Sequence, residues 1–291
     1  MSETDRCTEA HGPKTSETVT HYRFEPEILL LDFRDYSRMS DEEQFRVVET
    51  LTDRLRNTIA VLTATGRASV PELAENPLII ASIPTGDGAY LILNPLFRGY
   101  GILMAGAIVN DLRLINQCCG GSLHRGIRAA LHLGGCIPYV DVTRRVNFAG
   151  SGLNDCARIL HADSGDEFPD NFRESNHVIA SSRAADCFRE LYLSRASEDH
   201  RGLLGIQFSD TFPVTDKHGL SHDVCVVAMR ERFGLAPFKP VVNMSEENRW
   251  LMREIAKNHL PPRPMPQANG EITLTFRPQN TRETARGVKD A

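Results

Sequence analysis

Residues 28–37 read ILLLDFRDYS, an apolar run that ends abruptly at Asp32. This pattern predicts a buried central strand that carries a carboxylate to the rim of a sheet. A second aspartate, Asp87, lies in the sequence TGDG at 85–88, between the apolar runs 78–83 and 89–93. Gly-Asp-Gly between two such runs predicts a β-hairpin. If the hairpin pairs beside the first strand, the two aspartates meet at one end of the sheet.

Two converging carboxylates indicate a site for a hard divalent cation, because no histidine or cysteine stands at ligand spacing. We therefore expect Mg²⁺ or Mn²⁺ with two ions per site, and ion pairs of this kind usually act on triphosphates. Taken singly, either aspartate is more often a helix cap or a turn former. A metal site at Asp32 and Asp87 therefore needs support from motifs elsewhere in the chain.

The composition excludes several classes of protein. With 291 residues, 41% of them hydrophobic, the chain can bury a full core. A net charge of -5 argues against a nucleic-acid partner. The seven cysteines include no CxxC pair, which is typical of a reduced, intracellular chain without structural zinc. No run approaches the roughly 20 apolar residues of a membrane span, so we expect a cytoplasmic protein without a membrane partner.

The chain divides by composition into a flexible tail over 1–21, one globular domain over 22–234 and an extension over 235–291 with a short helix and a polar end. Within the domain, Ser40 and Glu43 form a capping box. The helix that follows has an apolar stripe at intervals of three and four residues, namely Phe45, Val48, Leu51, Leu55, Ile59 and Leu62.

After the first helix, the sequence predicts that helices and strands alternate along the rest of the domain. Helices are expected at 101–117, 152–161 and 183–193, and strands at 127–133, 142–148, 177–180 and 224–229. The resulting order, β-α-β-β-α-β with extensions, favours an α+β fold with its helices on one face of a mostly antiparallel sheet.

Two pairs of polar residues lie four positions apart on predicted helices, which places each pair on one helix face. Arg54 and Thr58 border the apolar stripe of the first helix, and Asn154 and Arg158 share a face of the helix at 152–161. The alternative for both pairs is an ordinary solvated border.

In their order and spacing, these motifs resemble those of the class III nucleotide cyclases, from about residue 27 to residue 230. The strand that ends at Asp32 matches, although Asp35 replaces a glycine of the family's loop. GD at 86–87 matches the family's hairpin, and ALHLG at 130–134 loosely matches its Gly-Ile-His-Thr-Gly strand. LNDCAR at 153–158 matches its Val-Asn-x-Ala-x-Arg helix. Lys217 weakly matches a lysine that meets the phosphates from a late hairpin.

The resemblance implies a cyclase catalytic domain over 22–234 with the class III fold, which is a ferredoxin-like βαββαβ core with extensions. It also implies that Asp32, Asp87 and the backbone carbonyl of Phe33 hold the two ions. Backbone amides of the following loop would cradle the terminal phosphates, and that loop comprises Arg34, Asp35, Tyr36 and Ser37.

The family resemblance assigns the other half of the chemistry to Asn154 and Arg158. Asn154 would hold the ribose, and Arg158 would stabilise the charge that develops on the α-phosphoryl group. In this family the site forms between two units that face head to tail. A homodimer with two shared sites is therefore implied.

The positions that read the base in purine cyclases are Ile83 and Asn147, and neither carries a purine code. Bacterial pyrimidine cyclases of the Pycsar anti-phage type are class III relatives with an Arg/Tyr-x-x-x-Thr motif, which Arg54 and Thr58 fit. Because arginine only donates hydrogen bonds, Arg54 favours the uracil carbonyls over the cytosine amino group. Thr58 or Asn147 could meet the uracil N3–H.

We therefore expect a uridylate cyclase that converts UTP to 3′,5′-cyclic UMP and pyrophosphate, as a second messenger of anti-phage defence read by a separate cyclic-nucleotide-binding effector. The alternatives are a cytidylate cyclase, and an adenylate or guanylate cyclase whose base pocket has changed. An alternative of another class is an inactive cyclase-like module that binds a nucleotide.

Overall fold

The computed structural model describes residues 23–67, 71–121, 123–124, 126–164, 168–172, 177–190, 206–216, 219–229 and 244–260. Its strands are β1 (Glu27–Phe33), β2 (Ile79–Pro84), β3 (Gly88–Leu93), β4 (Ile127–Leu133), β5 (Ile137–Val140), β6 (Val146–Ala149), β7 (His177–Ser181), β8 (Ile206–Phe208), β9 (Phe212–Thr215) and β10 (Ser221–Met229). Its helices are α1 (Asp41–Arg67), α2 (Tyr100–Cys118), α3 (Ser151–Leu160), α4 (Ser182–Phe188) and α5 (Glu246–Ala256). Within these described parts, no helix has both the length and the apolarity needed to cross a membrane. The tail predicted over 1–21 lies outside the described residues, as does the polar end of the C-terminal extension.

A large mixed sheet organises the fold, with strand order β2-β3-β1-β4-β7-β10-β8 and with β9 paired to β10. The pairing is antiparallel except between β4 and β7. The first four strands in this order, with α1 after β1 and α2 after β3, form a ferredoxin-like βαββαβ core. The predicted α+β fold is thereby confirmed. A separate hairpin of β5 and β6 follows the core.

The two faces of the sheet carry different helices. Leu29 pairs with Leu131, and α2 lies on their face because a Cβ at Gly101 would meet the Leu131 side chain. On the other face, a Cβ at Gly152 of α3 would lie 2.9 Å from Cδ1 of Ile28. The expectation that the helices share one face therefore holds for α2 but not for α3, since the β4–α3–β7 connection crosses the opposite face.

Some local expectations hold in the structure and others are corrected. The expected capping box is present, with the Ser40 amide donating to Glu43 Oε2 and the Glu43 amide donating to Ser40 Oγ. On α1, however, Val47 is buried, whereas Phe45 is 67% exposed and Val48 is also exposed. The strand expected at 142–148 is the shorter β6, and β5, β8 and β9 were not predicted, because each is too short to show a period.

Glu27, the first residue of β1, is a buried acid that lies against the start of α2. Its Oε2 accepts a hydrogen bond from the Gly101 amide. Burial raises the pKa of Glu27 from 4.5 to about 7, against a smaller lowering by the amides of Gly101 and Gly99. Between these two values the folded chain keeps a proton that the unfolded chain has lost. The free energy of unfolding therefore decreases as the pH rises through this window.

Replacing Glu27 with glutamine is expected to remove most of this pH dependence, which amounts to about 3 kcal/mol at about 1.4 kcal/mol per pKa unit. Urea unfolding of the wild type and the variant at about pH 5 and about pH 8 would measure this pH dependence. The change in the free energy of unfolding between the two pH values reports the protons taken up on folding. Glu49→Gln, at an exposed position of α1, is the matched control. Equal pH slopes for Glu27→Gln and the wild type would contradict the assignment.

Candidate active site

Asp32 and Asp87 lie together at one end of the sheet. Asp32 is opposite Gly88 in the pairing of β1 with β3, and the Phe33 amide donates to the Asp87 carbonyl oxygen at 2.9 Å. The Asp87 carboxylate accepts a hydrogen bond from the Thr85 hydroxyl at 3.1 Å. The hairpin thus delivers its carboxylate beside the end of the central strand, as the sequence pattern suggested.

Gly88 makes this close approach possible. A Cβ at this position would lie 1.8 Å from the backbone oxygen of Leu31, a distance that no side chain can tolerate. Gly86, in the turn before it, has a φ of +95°, in the region that favours glycine. Both glycines are therefore required by the backbone path that brings Asp87 to Asp32.

Arg128 is a component of this site that the sequence analysis missed. It lies opposite Asp32 in the pairing of β1 with β4. Its Nε donates to Asp32 Oδ2 at 2.8 Å, and its Nη2 contacts the same oxygen. The only sequence signal was an arginine within the apolar run 127–133, and its meaning depends on a strand register that the sequence does not reveal.

Asp32 is a buried carboxylate whose pKa is set by burial, by Arg128 and by Asp87. The residue is 9% exposed, and burial is the main cause that raises its pKa. Arg128 lowers the pKa through its hydrogen bond and its charge, while the neighbouring Asp87 raises it. A further positive charge at this place would relieve the repulsion between the two carboxylates.

The loop after β1 forms a short turn with an unusual backbone at its second residue. Asp35 has a φ of 56°, in the left-handed region, which glycine adopts freely and aspartate tolerates better than most residues. This accounts physically for an aspartate in the place of the family's glycine. Of the amides expected to cradle phosphates, that of Arg34 donates to the Gly126 carbonyl oxygen at 3.0 Å in this structure. Tyr36 and Ser37 lie in the 3₁₀ turn that follows.

Asn154 and Arg158 lie one turn apart on α3, with Asn154 exposed and Arg158 half-buried. Arg158 Nη1 donates to Asp155 Oδ1 at 2.7 Å, and its Nε lies 2.9 Å from Asp216 Oδ2. His132 of β4 lies nearby. Burial lowers the pKa of His132, and the charge of Asp155 opposes this shift only in part.

The two groups of residues belong to opposite ends of the same sheet face. Asp32 pairs with Arg128, whereas Ile28 pairs with His132. Ile28 and Asp32 are four positions apart along β1, which corresponds to roughly 13 Å at about 3.3 Å per residue. Arg158 contacts Asp216 in the turn before β10. The pairing of Leu131 with Ala180 and of Ala180 with Cys225 places that turn beyond the His132 end of β4. One chain therefore presents the carboxylate pair at one end and the Arg158 group near the other.

The residues expected to read the base are brought together only in part. Ile83 of β2 and Asn147 of β6 are both half-buried, and their strands lie in contact. Asn147 Oδ1 accepts a hydrogen bond from the Phe148 amide at 2.8 Å. Arg54 and Thr58 lie on α1, which packs beside α2.

Among the described residues no hydrogen bond or ion pair joins Arg54 to Ile83 or Asn147. Its Nε is buried without a hydrogen-bond partner there. Lys217 lies outside the described residues.

The carboxylate pair fits one kind of metal site and not another. No group of three or more His, Cys, Asp or Glu side chains that could hold a metal ion exists in the described part of the chain. Mg²⁺ at nucleotide sites is commonly held by one or two carboxylates together with substrate phosphates and water. Asp32 and Asp87 fit that second kind, in which the nucleotide completes the set of ligands.

The sequence matches no protein-family model and no curated protein. Several solved cyclase structures are nevertheless similar to the chain. The guanylyl cyclase Cya2 is 13% identical with a TM-score of 0.48, over 74% of this chain and 96% of that one. A bacterial light-regulated adenylyl cyclase is 12% identical with a TM-score of 0.47, over 82% of this chain and 60% of that one. The adenylyl cyclase CyaB from P. aeruginosa is 15% identical with a TM-score of 0.43, over 73% and 98% of the two chains. At these identities and scores the similarities assign neither an activity nor a substrate to this chain.

Proposed function

We propose that this chain is a nucleotide cyclase that acts as a head-to-tail homodimer. One observation carries the proposal: the carboxylate pair and the Arg158 group lie at opposite ends of one sheet face. Two chains related by a two-fold axis, facing each other in opposite directions, would join the Asp32 end of one to the Arg158 end of the other. Each of the two resulting sites then contains both carboxylates and the arginine.

The residues on the two sides of such a site would divide the reaction between them. Asp32 and Asp87, with the Phe33 carbonyl, would hold Mn²⁺ or Mg²⁺, and when bound these ions neutralise the triphosphate and lower the pKa of the ribose 3′-hydroxyl. Asn154 of the other chain would hold the ribose. The 3′-hydroxyl gives its proton to water and its oxygen attacks the α-phosphorus. The bond from that phosphorus to the oxygen of the β-phosphate breaks, and pyrophosphate departs with the electron pair. Arg158 would stabilise the charge that develops on the α-phosphoryl oxygens.

We propose UTP as the substrate and 3′,5′-cyclic UMP as the product. Ile83 offers no hydrogen bond to a purine, and Arg54 only donates. The buried Nε of Arg54, without an acceptor among the described groups, supports a partner that is a carbonyl oxygen. Because the chain resembles Pycsar cyclases, we propose that the product serves as an anti-phage signal that a separate effector reads.

The test is to incubate the purified chain with ATP, GTP, CTP and UTP separately, with Mn²⁺, and to identify products by chromatography and mass. We expect cyclic UMP from UTP. Replacement of Arg54 with alanine should lower kcat/KM for UTP by about 10- to 100-fold, because a buried acceptor on the base loses its donor.

Arg56→Ala is the matched control for Arg54, since Arg56 lies on the same helix, is exposed and pairs with Asp53. Faster cyclisation of CTP would overturn the choice of uracil, and cyclic AMP or cyclic GMP would favour a purine cyclase. Tight nucleotide binding without any product would favour the inactive binding module.

A further inference from the structure

Arg158 is held by carboxylates from two separate elements. Asp155, three residues earlier on α3, accepts from Nη1 at 2.7 Å. Asp216, which follows β9, places Oδ2 at 2.9 Å from Nε. The two contacts approach the guanidinium from different edges, and neither of them uses Nη2. The resemblance to cyclases assigned no role to Asp216, and the proposed reaction does not use it.

The Asp216 carboxylate is itself fixed by the turn that joins β9 to β10. Its Oδ1 accepts a hydrogen bond from the Leu220 amide at 2.9 Å, and its carbonyl oxygen accepts from the Gly219 amide at 3.0 Å. Gly219 has a φ of +78°, which a tight turn of this kind requires. One carboxylate oxygen thus fastens the turn while the other faces Arg158.

Burial makes this pair more than a surface ion pair. The side chain of Asp216 is 4% exposed and that of Arg158 is 28% exposed. His222 Nε2 lies 3.8 Å from the same Oδ2. Ion pairs at the surface contribute little and leave their partners mobile. A nearly buried carboxylate whose other oxygen is bonded to the backbone instead gives the guanidinium one defined position.

A fixed guanidinium matters most for a group that acts on a transition state. Electrostatic stabilisation is effective when the donor is already oriented, because no reorganisation is then needed as charge develops. Displacement by about 1 Å can lower a rate about 100-fold. Asp155 accepts a hydrogen bond from Nη1, and the Asp216 carboxylate lies beside Nε as an ion-pair partner, so that Nη2 is left to face an incoming phosphoryl group.

On the basis of the cyclase function proposed above, we infer that Asp216 is a positioning residue that fixes Arg158 for cyclisation. It touches no reacting atom and acts only through the guanidinium. The turn after β9 therefore contributes to catalysis through Asp216, whatever its neighbour Lys217 does.

The consequence is a specific kinetic signature. Asp216→Asn keeps the turn hydrogen bond but removes the charge, and should lower kcat by about 10- to 100-fold while KM for the nucleotide changes little. Asp216→Glu restores the charge one methylene further out and should recover part of kcat. Asp223→Asn, at an exposed position of β10, is the matched control and should match the wild type.

A double-mutant cycle separates positioning from a merely structural role. In an Arg158→Ala background, Asp216→Asn should cause no further loss of kcat, because the residue through which it acts is already absent. Thermal unfolding of each variant checks that the chain remains folded. An unchanged or increased kcat for Asp216→Asn, or an equal further loss in the Arg158→Ala background, would overturn the inference.

An NMR measurement keeps this inference distinguishable from the proposed function. The Nε–H signal of Arg158 should shift between the wild type and Asp216→Asn, because the substitution removes the charge that lies 2.9 Å from Nε. If the wild type cyclises none of the four nucleotides, the proposed function fails. An Arg158 signal that is the same in both proteins would refute the positioning role whether or not the chain is active.

Discussion

Replacing Asp87 with asparagine is expected to lower kcat by about 1,000-fold, since a divalent ion supplies several kcal/mol of transition-state stabilisation and each factor of ten is about 1.4 kcal/mol. The fold should persist. Asp87 is half-exposed in a turn whose shape is set by Gly86 and Gly88, and its removal relieves repulsion with Asp32. The melting temperature should therefore change little, and any loss of activity reports the site.

Metal binding provides a second readout of the same variant. Paramagnetic resonance of Mn²⁺, recorded with 3′-deoxy-UTP so that no reaction occurs, should show ions bound to the wild type and far weaker binding to Asp87→Asn. Asp53→Asn, at an exposed position of α1, is the control for the loss of one carboxylate elsewhere. Full activity or undiminished Mn²⁺ binding in Asp87→Asn would remove Asp87 from the site.

The parts of this site that could be predicted from the sequence are those with a local pattern. The apolar run that ends at Asp32 predicts the end of a strand. The Gly-Asp-Gly turn at Asp87 predicts a hairpin. Their meeting required only that β3 pair with β1, which a ferredoxin-like order favours. The same is true of Asn154 and Arg158, whose four-residue spacing defines one helix face.

The parts that escaped prediction depend on contacts between distant segments. Arg128 meets Asp32 across 96 positions of sequence, and the register of β1 with β4 decides that they are opposite. Asp216 meets Arg158 only because β10 joins the sheet beyond β7. The exposure of Phe45 is of the same kind, because the partner of a helix face, and not the apolar period alone, decides which residues are buried.

Mixing two inactive variants is expected to restore activity if the site is shared between chains. Asp32→Ala removes a carboxylate and Arg158→Ala removes the arginine from the opposite end of the sheet face. A mixed dimer then has one site with both defects and one site with neither. Because random exchange of equal amounts makes half of the dimers mixed, the activity should reach about a quarter of the wild-type value.

The same experiment needs proof that the subunits exchange. Chains that carry two different affinity tags, mixed and then isolated through both tags in turn, give the mixed dimer alone, whose activity should be about half that of the wild type. Asp32→Ala mixed with Asp87→Asn is the matched control, since both defects fall on the same side and no site is restored. Mixed dimers that are isolated but inactive would show that each site is built within one chain. The roughly 13 Å between the two ends would then have to be closed by a rearrangement of α3.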